Sequence, residues 1–134
     1  MKVCGRQLGC VCLSLLAGLC LASRPAAGRA AEIGYVNNLK MAVNMESVTV
    51  IGKRAYRDTP LRINPGHVCW HKMVPAGVRL IYLYDAAMPS RLLGKAQFPV
   101  RHPAQKMFFS LQLVKPPQGP PRPQLVPAEP PAKP

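Results

Sequence analysis

Short apolar runs separated by prolines dominate the middle of the chain, and their alternation is that of strands. Helical periodicity is poor, and proline recurs at positions 60, 65, 75, 89, 99 and 103. β-Branched and aromatic residues fill the runs between these prolines, which is typical of strands. The predicted strands cover residues 47–51, 67–74, 78–84, 92–100 and 107–114.

These runs predict the fold class. Residues 78–84 are apolar on both faces except for Arg79, which indicates a central strand. Residues 32–46 fit either a helix or an edge strand, and a short helix over 90–98 is a second alternative. We expect an all-β fold, a small β-sandwich or barrel of about five to seven short strands, over residues 31–115. Such a fold has edge strands that can pair with a partner.

The last 19 residues, 116–134, differ in composition, because nine of them are proline. Proline has no N–H and holds φ at about −65°, so this stretch is expected to join neither a helix nor a sheet. We expect a disordered, extended tail. It is either a passive spacer, or a ligand for an aromatic groove or a tether through the cell wall.

The N-terminus has the segment order of a secretory signal peptide. Lys2 and Arg6 precede a 15-residue apolar run at 8–22, and small residues follow. Cleavage after Ala22 or after Ala30 fits the preference for small residues, so residues 1–30 are interpreted as the signal peptide. An uncleaved anchor is the alternative, although 15 residues fall short of the roughly 20 that span a bilayer. The expected location is the periplasm, with outer-membrane association left open.

Removal of the signal peptide changes the cysteine count. Four of the five cysteines lie within residues 1–30, and Cys69 alone remains. A single thiol forms no internal disulfide. Cys69 is therefore expected to be buried, to be reactive, or to pair with a second copy in a homodimer.

Residues 31–134 are strongly basic, with 14 Lys and Arg against five Asp and Glu. The basic residues are scattered singly among apolar ones, without an arginine-rich arm or an aromatic-glycine motif. Nucleic acid is therefore not expected as a partner. The scattered charge is expected to form a solvated basic surface, and the alternative in an exported chain is a surface that binds an anionic lipid, lipopolysaccharide or an acidic protein.

The segment PGHVCWHKMVP, residues 65–75, carries metal-type ligands at alternate positions: His67, Cys69, His71 and Met73. On a strand these side chains share one face, and His67 and His71 lie roughly 13 Å apart. Metal–ligand bonds are about 2.0–2.3 Å long, so three successive ligands on one strand cannot reach one ion. We expect no metal and no cofactor, and His67, Cys69 and His71 are the candidates if the segment is not a strand.

The other face of this predicted strand holds Val68, Trp70, Lys72 and Val74. It is largely apolar, so it is expected to face the core. The metal-type residues would then lie on the solvent side.

The same spacing argues against catalysis. The Cα atoms of Cys69 and His71 are expected roughly 6.5–7 Å apart on a strand. Activation of a thiol needs a nitrogen within about 3 Å. Asp58 and Asp85 are lone carboxylates in the sequence. We therefore expect a protein that is not an enzyme.

Residues 66–113 resemble a family of small exported β-sandwich proteins that includes the pilotin lipoproteins of type III secretion systems. The shared pattern is a strand, a Pro-x-Gly turn, an alternating strand that ends in Asp, a hairpin strand and an aromatic strand. Here it reads VPAGVRLIYLYD at 74–85, LLGKAQFPV at 92–100 and MFFSLQL at 107–113. Two features depart from the family: Cys20 is displaced by one residue from a lipidation box, and the proline-rich tail replaces further sandwich sequence.

The resemblance implies a non-enzymatic role. Pilotins bind the tail of a secretin subunit through an apolar face and escort it to the outer membrane. We therefore expect a binding or assembly factor of the bacterial envelope whose partner is a secretin or another secretion-apparatus protein. Tyr84 and Phe108 are the candidate contact residues, unless both belong to the core. The alternatives are a periplasmic metal or redox protein using His67, Cys69 and His71, and a structural component tethered by the tail.

Overall fold

A computed structural model describes residues 31–101 and 105–132, and within these ranges the chain is all-β. The nine strands are β1 (Ala31–Asn37), β2 (Val43–Ile51), β3 (Arg54–Arg57), β4 (Leu61–Ile63), β5 (Val68–Val74), β6 (Gly77–Asp85), β7 (Leu92–Val100), β8 (Lys106–Val114) and β9 (Arg122–Pro127). Sheet A has the order β5-β1-β8-β9, and sheet B has the order β3-β2-β6-β7, with β4 also paired to β2. The all-β prediction is confirmed, with more strands than the five to seven expected. The predicted signal peptide and its cleavage sites, Ala22 and Ala30, lie outside the described residues.

The core lies between the two sheets and follows from alternation along the central strands. In β2 and β6 every second side chain is buried, so each strand turns one face towards the opposite sheet. The largest fully buried apolar side chains of this core are Ile33, Tyr35, Met45, Ile63, Ile81, Leu83 and Leu111. No helix long and apolar enough to cross a membrane occurs in the part of the chain that the structure describes.

The ambiguous stretch 32–46 forms most of β1, a turn and the start of β2. The buried side chain of Asn37 holds the turn. Its amide donates to the carbonyl oxygens of Met41 and Ile63, each at 2.8 Å, and its Oδ1 accepts from the Leu39 N–H at 2.9 Å. The region predicted as strand at 92–100 is β7, so the alternative helix at 90–98 does not form.

The C-terminal stretch is not the disordered tail that its composition predicts, because residues 122–127 form β9 and pair antiparallel with β8. Pro123 and Pro127 lie four positions apart, so their backbone nitrogens point to the same side of this edge strand. The N–H of Ala128, one position after Pro127, points to the other side and donates to the carbonyl oxygen of Phe108 at 2.9 Å. Because successive backbone N–H groups of a strand point to opposite sides, the two proline nitrogens point away from β8 and no ladder bond is lost.

Strands β9 and β7 bring the two sheets together along one side. A Cβ atom added to Gly94 of β7 would lie 2.6 Å from the carbonyl oxygen of Pro123 in β9. Only glycine permits this approach. The predicted boundary between a folded domain at 31–115 and a free tail is therefore replaced by a sandwich that continues to Pro127.

The buried and exposed faces of β5 are the reverse of those that the sequence predicts. His71 is buried and Cys69 is half-buried against the core, whereas Val68 and Trp70 are each 38% exposed on the outer face. The cause lies in the opposite sheet, where the buried guanidinium of Arg79 needs acceptors. A bulge at residues 72 and 73, opposite Glu32 of β1, then restores Val74 to the core.

Candidate functional site

Two aromatic rings meet on the outer face of sheet A, across a glycine of its central strand. Gly34 of β1 lies between Trp70 of β5 and Phe108 of β8 in the strand register. A Cβ atom at position 34 would lie 2.5 Å from Phe108 Cδ2 and 2.8 Å from Trp70 Cη2. Glycine therefore allows both rings to cover β1, with their centroids 5.6 Å apart.

These rings line the aromatic cleft, a cavity of about 730 Å³ on the outer face of sheet A. Its lining residues are Glu32, Trp70, Lys72, Lys106, Met107, Phe108, Ala128, Pro130, Pro131 and Ala132. Trp70 remains 38% exposed, whereas Phe108 is only 7% exposed. Cavities of this size with an apolar lining and a few polar groups are typical ligand sites.

The C-terminal residues form one wall of the aromatic cleft. The hydrogen bond from Ala128 to Phe108 extends the pairing of β9 with β8 beyond the strand itself. The following prolines, Pro130 and Pro131, are exposed and border the cleft. Because proline lacks an N–H, this wall is held by packing and by its attachment to β9.

Two lysines give the aromatic cleft a positive rim. The ammonium of Lys106 lies 3.5 Å from the carboxylate of Glu32, and both side chains are exposed. Lys72 is exposed and has no carboxylate partner among the described residues. The rim therefore favours a ligand that carries an acidic group.

A second concentration of chemistry lies between the sheets, where Arg79 is fully buried. This Arg79 cluster comprises Arg79, Tyr35, Ser47, Thr49, Asp58 and His71. The guanidinium donates to the Tyr35 hydroxyl at 3.2 Å, and its Nη2 lies 2.6 Å from the Asp58 carboxylate. Every buried side-chain polar atom in the described part of the chain has a partner.

Burial and the Arg79 charge set the protonation of the cluster. Burial first, and then Arg79, lower the pKa of His71 below its usual value. Burial raises the pKa of the Tyr35 hydroxyl. Nδ1 of His71 accepts from Arg79 at 2.7 Å, so the ring hydrogen lies on Nε2, which faces the Thr59 carbonyl at 3.3 Å. The hydrogen bond between charged Arg79 and neutral His71 therefore joins the two sheets, and the role of the cluster is structural.

The metal candidates do not converge. His67 is exposed in the turn before β5, Cys69 packs half-buried against the core, and both nitrogens of His71 are engaged in the Arg79 cluster. No group of three or more His, Cys, Asp or Glu side chains that could hold a metal ion occurs in residues 31–101 and 105–132. Since Cys69 lies on the inner face of β5, its placement favours burial among the three fates expected for it.

The two contact candidates lie on opposite outer surfaces. Phe108 belongs to the aromatic cleft on sheet A, whereas Tyr84 is half-buried in β6 of sheet B. They do not form one site. The sequence prediction missed Trp70 and Gly34, because it assigned Trp70 to the core, and the pairing that places both beside Phe108 is long-range.

Comparison of the chain with protein-family models, with curated proteins and with solved structures finds no match.

Proposed function

We propose that this protein is a non-enzymatic, exported binding factor of the bacterial envelope that holds an extended segment of a partner protein in the aromatic cleft. Its role would be pilotin-like, with a secretin or another secretion-apparatus subunit as the partner. The observation that carries the proposal is the partly exposed Trp70, which lies beside Phe108 over Gly34 in a cleft of about 730 Å³.

The cleft offers the contacts that an extended peptide needs. Trp70 supplies an exposed aromatic surface, tilted by 46° against the Phe108 ring that supports it, on which apolar or proline side chains can pack. Large aromatic residues that stay exposed are the usual energetic anchors of binding surfaces. Lys72 and Lys106 at the rim would pair with an acidic side chain or a terminal carboxylate of the segment.

Trp70 is the only tryptophan of the chain, so its fluorescence reports on the cleft without a label. The test titrates the protein with synthetic C-terminal segments of secretin subunits and with proline-rich segments of other envelope proteins. Binding should shift the Trp70 emission to shorter wavelength, because the ligand removes water from the ring.

Two variants localise the binding. Phe108→Ala removes the ring that packs against the exposed anchor Trp70, and it should weaken the affinity by about tenfold or more. Tyr84→Ala changes an aromatic residue on sheet B and should leave the affinity unchanged. If Tyr84→Ala weakens binding and Phe108→Ala does not, the partner surface lies on sheet B and the proposal is wrong. The same conclusion follows if no segment shifts the emission.

A further inference from the structure

One end of the sandwich, which we name the entry end, collects the ends of several strands and the turns between them. Strand β1 begins there at Ala31, and its antiparallel partner β5 ends there at Val74. A two-residue turn leads to the start of β6, which pairs with the end of β2. The hairpin between β2 and β3 therefore lies at the same end, with Ile51 opposite Arg54.

Large apolar side chains are exposed at the entry end. Ile51 is 38% exposed, Val78 is 40% exposed and Met73 is 81% exposed. Tyr56, two positions into β3, is 44% exposed. Strand β5 is the edge strand of sheet A on the side where β3 and β4 form the edge of sheet B. Met73, near the end of β5, and the β2–β3 hairpin therefore share one corner of the entry end.

The backbone at Met73 is strained in a way that exposes its side chain. Its φ of 58° is the only positive value at a non-glycine residue in the described ranges. This left-handed conformation is rare for an unbranched apolar residue and costs about 1 kcal/mol or more. It forms the bulge of β5, and the bulge turns a methionine out into solvent. The bulge returns Val74 to the core, and its consequence at position 73 is a large apolar side chain exposed to solvent.

Basic residues outnumber acidic ones around this corner. Lys53, Arg54, Arg57 and Lys72 are exposed, and the carboxylate of Glu32, which lies opposite the bulge, is 3.5 Å from the ammonium of Lys106. Asp58, the carboxylate that follows β3, lies 2.6 Å from the buried guanidinium of Arg79 and is thereby neutralised. The corner therefore combines exposed apolar and aromatic side chains with free basic ones. That combination is typical of segments that bind at a membrane interface.

The sequence that precedes β1 connects the same end to the predicted signal peptide. The apolar run at 8–22 is separated from Ala31 by eight residues. Eight extended residues reach at most about 28 Å. While the apolar run occupies a bilayer, during export or afterwards, the entry end is the part of the described fold that this short connection holds nearest to the surface.

We propose that the entry end docks on the surface of an anionic lipid bilayer. Ile51, Met73 and Tyr56 would enter the boundary between headgroups and acyl chains. Lys53 and Arg54 would bind the lipid phosphates. None of these five residues lines the aromatic cleft, so the lipid contact can be tested independently of peptide binding.

The test measures the partition of the full chain, as recovered from cells, between buffer and vesicles of phosphatidylcholine with or without phosphatidylglycerol. Binding should require the anionic lipid and weaken with salt. The double substitution Lys53→Glu and Arg54→Glu should weaken partition by at least about 30-fold, because it removes two basic residues near an anionic surface and adds two acidic ones. The matched control, Lys115→Glu with Arg122→Glu, makes the same charge change at the opposite end and should bind as the wild type.

A second pair of variants tests insertion separately from charge. Ile51→Ser with Met73→Asn keeps the net charge, and asparagine accepts the left-handed backbone at position 73. This pair should lower partition by about tenfold. Equal binding to neutral vesicles, or an equal loss in the Lys115 and Arg122 control, overturns the proposal. Any retained N-terminal apolar run is common to all variants, so it cannot produce the expected differences.

Discussion

The Nη2 atom of Arg79 lies 2.7 Å from Nδ1 of His71, and this contact joins the two sheets through the core. Arg79 belongs to β6 in sheet B, and His71 belongs to β5 in sheet A. Arg79 also reaches Ser47 and Thr49 at 3.0 Å each, within its own sheet. A fully buried guanidinium is tolerated here because Asp58 supplies the opposite charge and the neighbouring side chains supply acceptors.

Removal of the guanidinium should therefore be costly. Arg79→Met leaves Asp58 and the cluster hydroxyls without their donor, and we expect a loss of about 3–5 kcal/mol in the free energy of unfolding, measured by urea denaturation. Arg91→Ala is the control, because the exposed Arg91 lies 3.8 Å from Asp85 and should cost less than about 1 kcal/mol. A similar, small loss for both variants would show that the Arg79 cluster contributes little to stability.

Stability should fall as the pH is lowered through the titration of His71. Burial and the adjacent Arg79 lower the pKa of His71 below 6.5, so the unfolded chain binds a proton more readily than the folded protein does. The stabilisation is complete above about pH 6.5 and declines below it, until the folded ring is itself protonated. The slope contributed by this residue reaches at most about 1.4 kcal/mol per pH unit.

Urea denaturation over this pH range measures the effect. His71→Gln should flatten the slope between about pH 6.5 and pH 5. His67→Gln, at an exposed position, should retain it. A wild-type slope in the His71 variant would mean that another group is responsible.

Even the smallest substitution of Gly34, by alanine, should lower the stability of the fold. The Cβ atom of Gly34→Ala would overlap the ring of Phe108 and press on Trp70. We expect a loss of about 1–3 kcal/mol in stability and a shift of Trp70 emission to longer wavelength, as the ring moves into water. In a Phe108→Ala background the same substitution should cost less, because the overlap is relieved. Equal costs in both backgrounds would contradict the packing of the two rings over β1.

Hydrogen exchange can verify β9 directly. The N–H groups of Gln124 and Val126 share the direction of Ala128 and should be protected by β8. The N–H of Leu125 points away from β8 and should exchange quickly. Fast exchange at all three positions is the result expected of a free tail, and it would rule out the edge strand.

The sequence shows why some elements could be predicted. Period-2 alternation and the flanking prolines are local signals, so β6, β7 and β8 were found close to their observed bounds. Arg79 stands out in the sequence as the single charge in an apolar strand. The sequence does not predict its hydrogen-bond acceptors, because they come from four other segments of the chain.

Local sequence signals determine the all-β class and the positions of β6, β7 and β8, since strand propensity and alternation depend on near neighbours. The tertiary structure alone decided which face of β5 is buried, because the requirement for a polar partner arises from Arg79 in the other sheet. It also decided that a proline-rich segment forms β9, since the direction of the proline nitrogens matters only once β8 lies on the other side. The aromatic cleft follows from both decisions, because it needs Trp70 outside and the residues after β9 beside it.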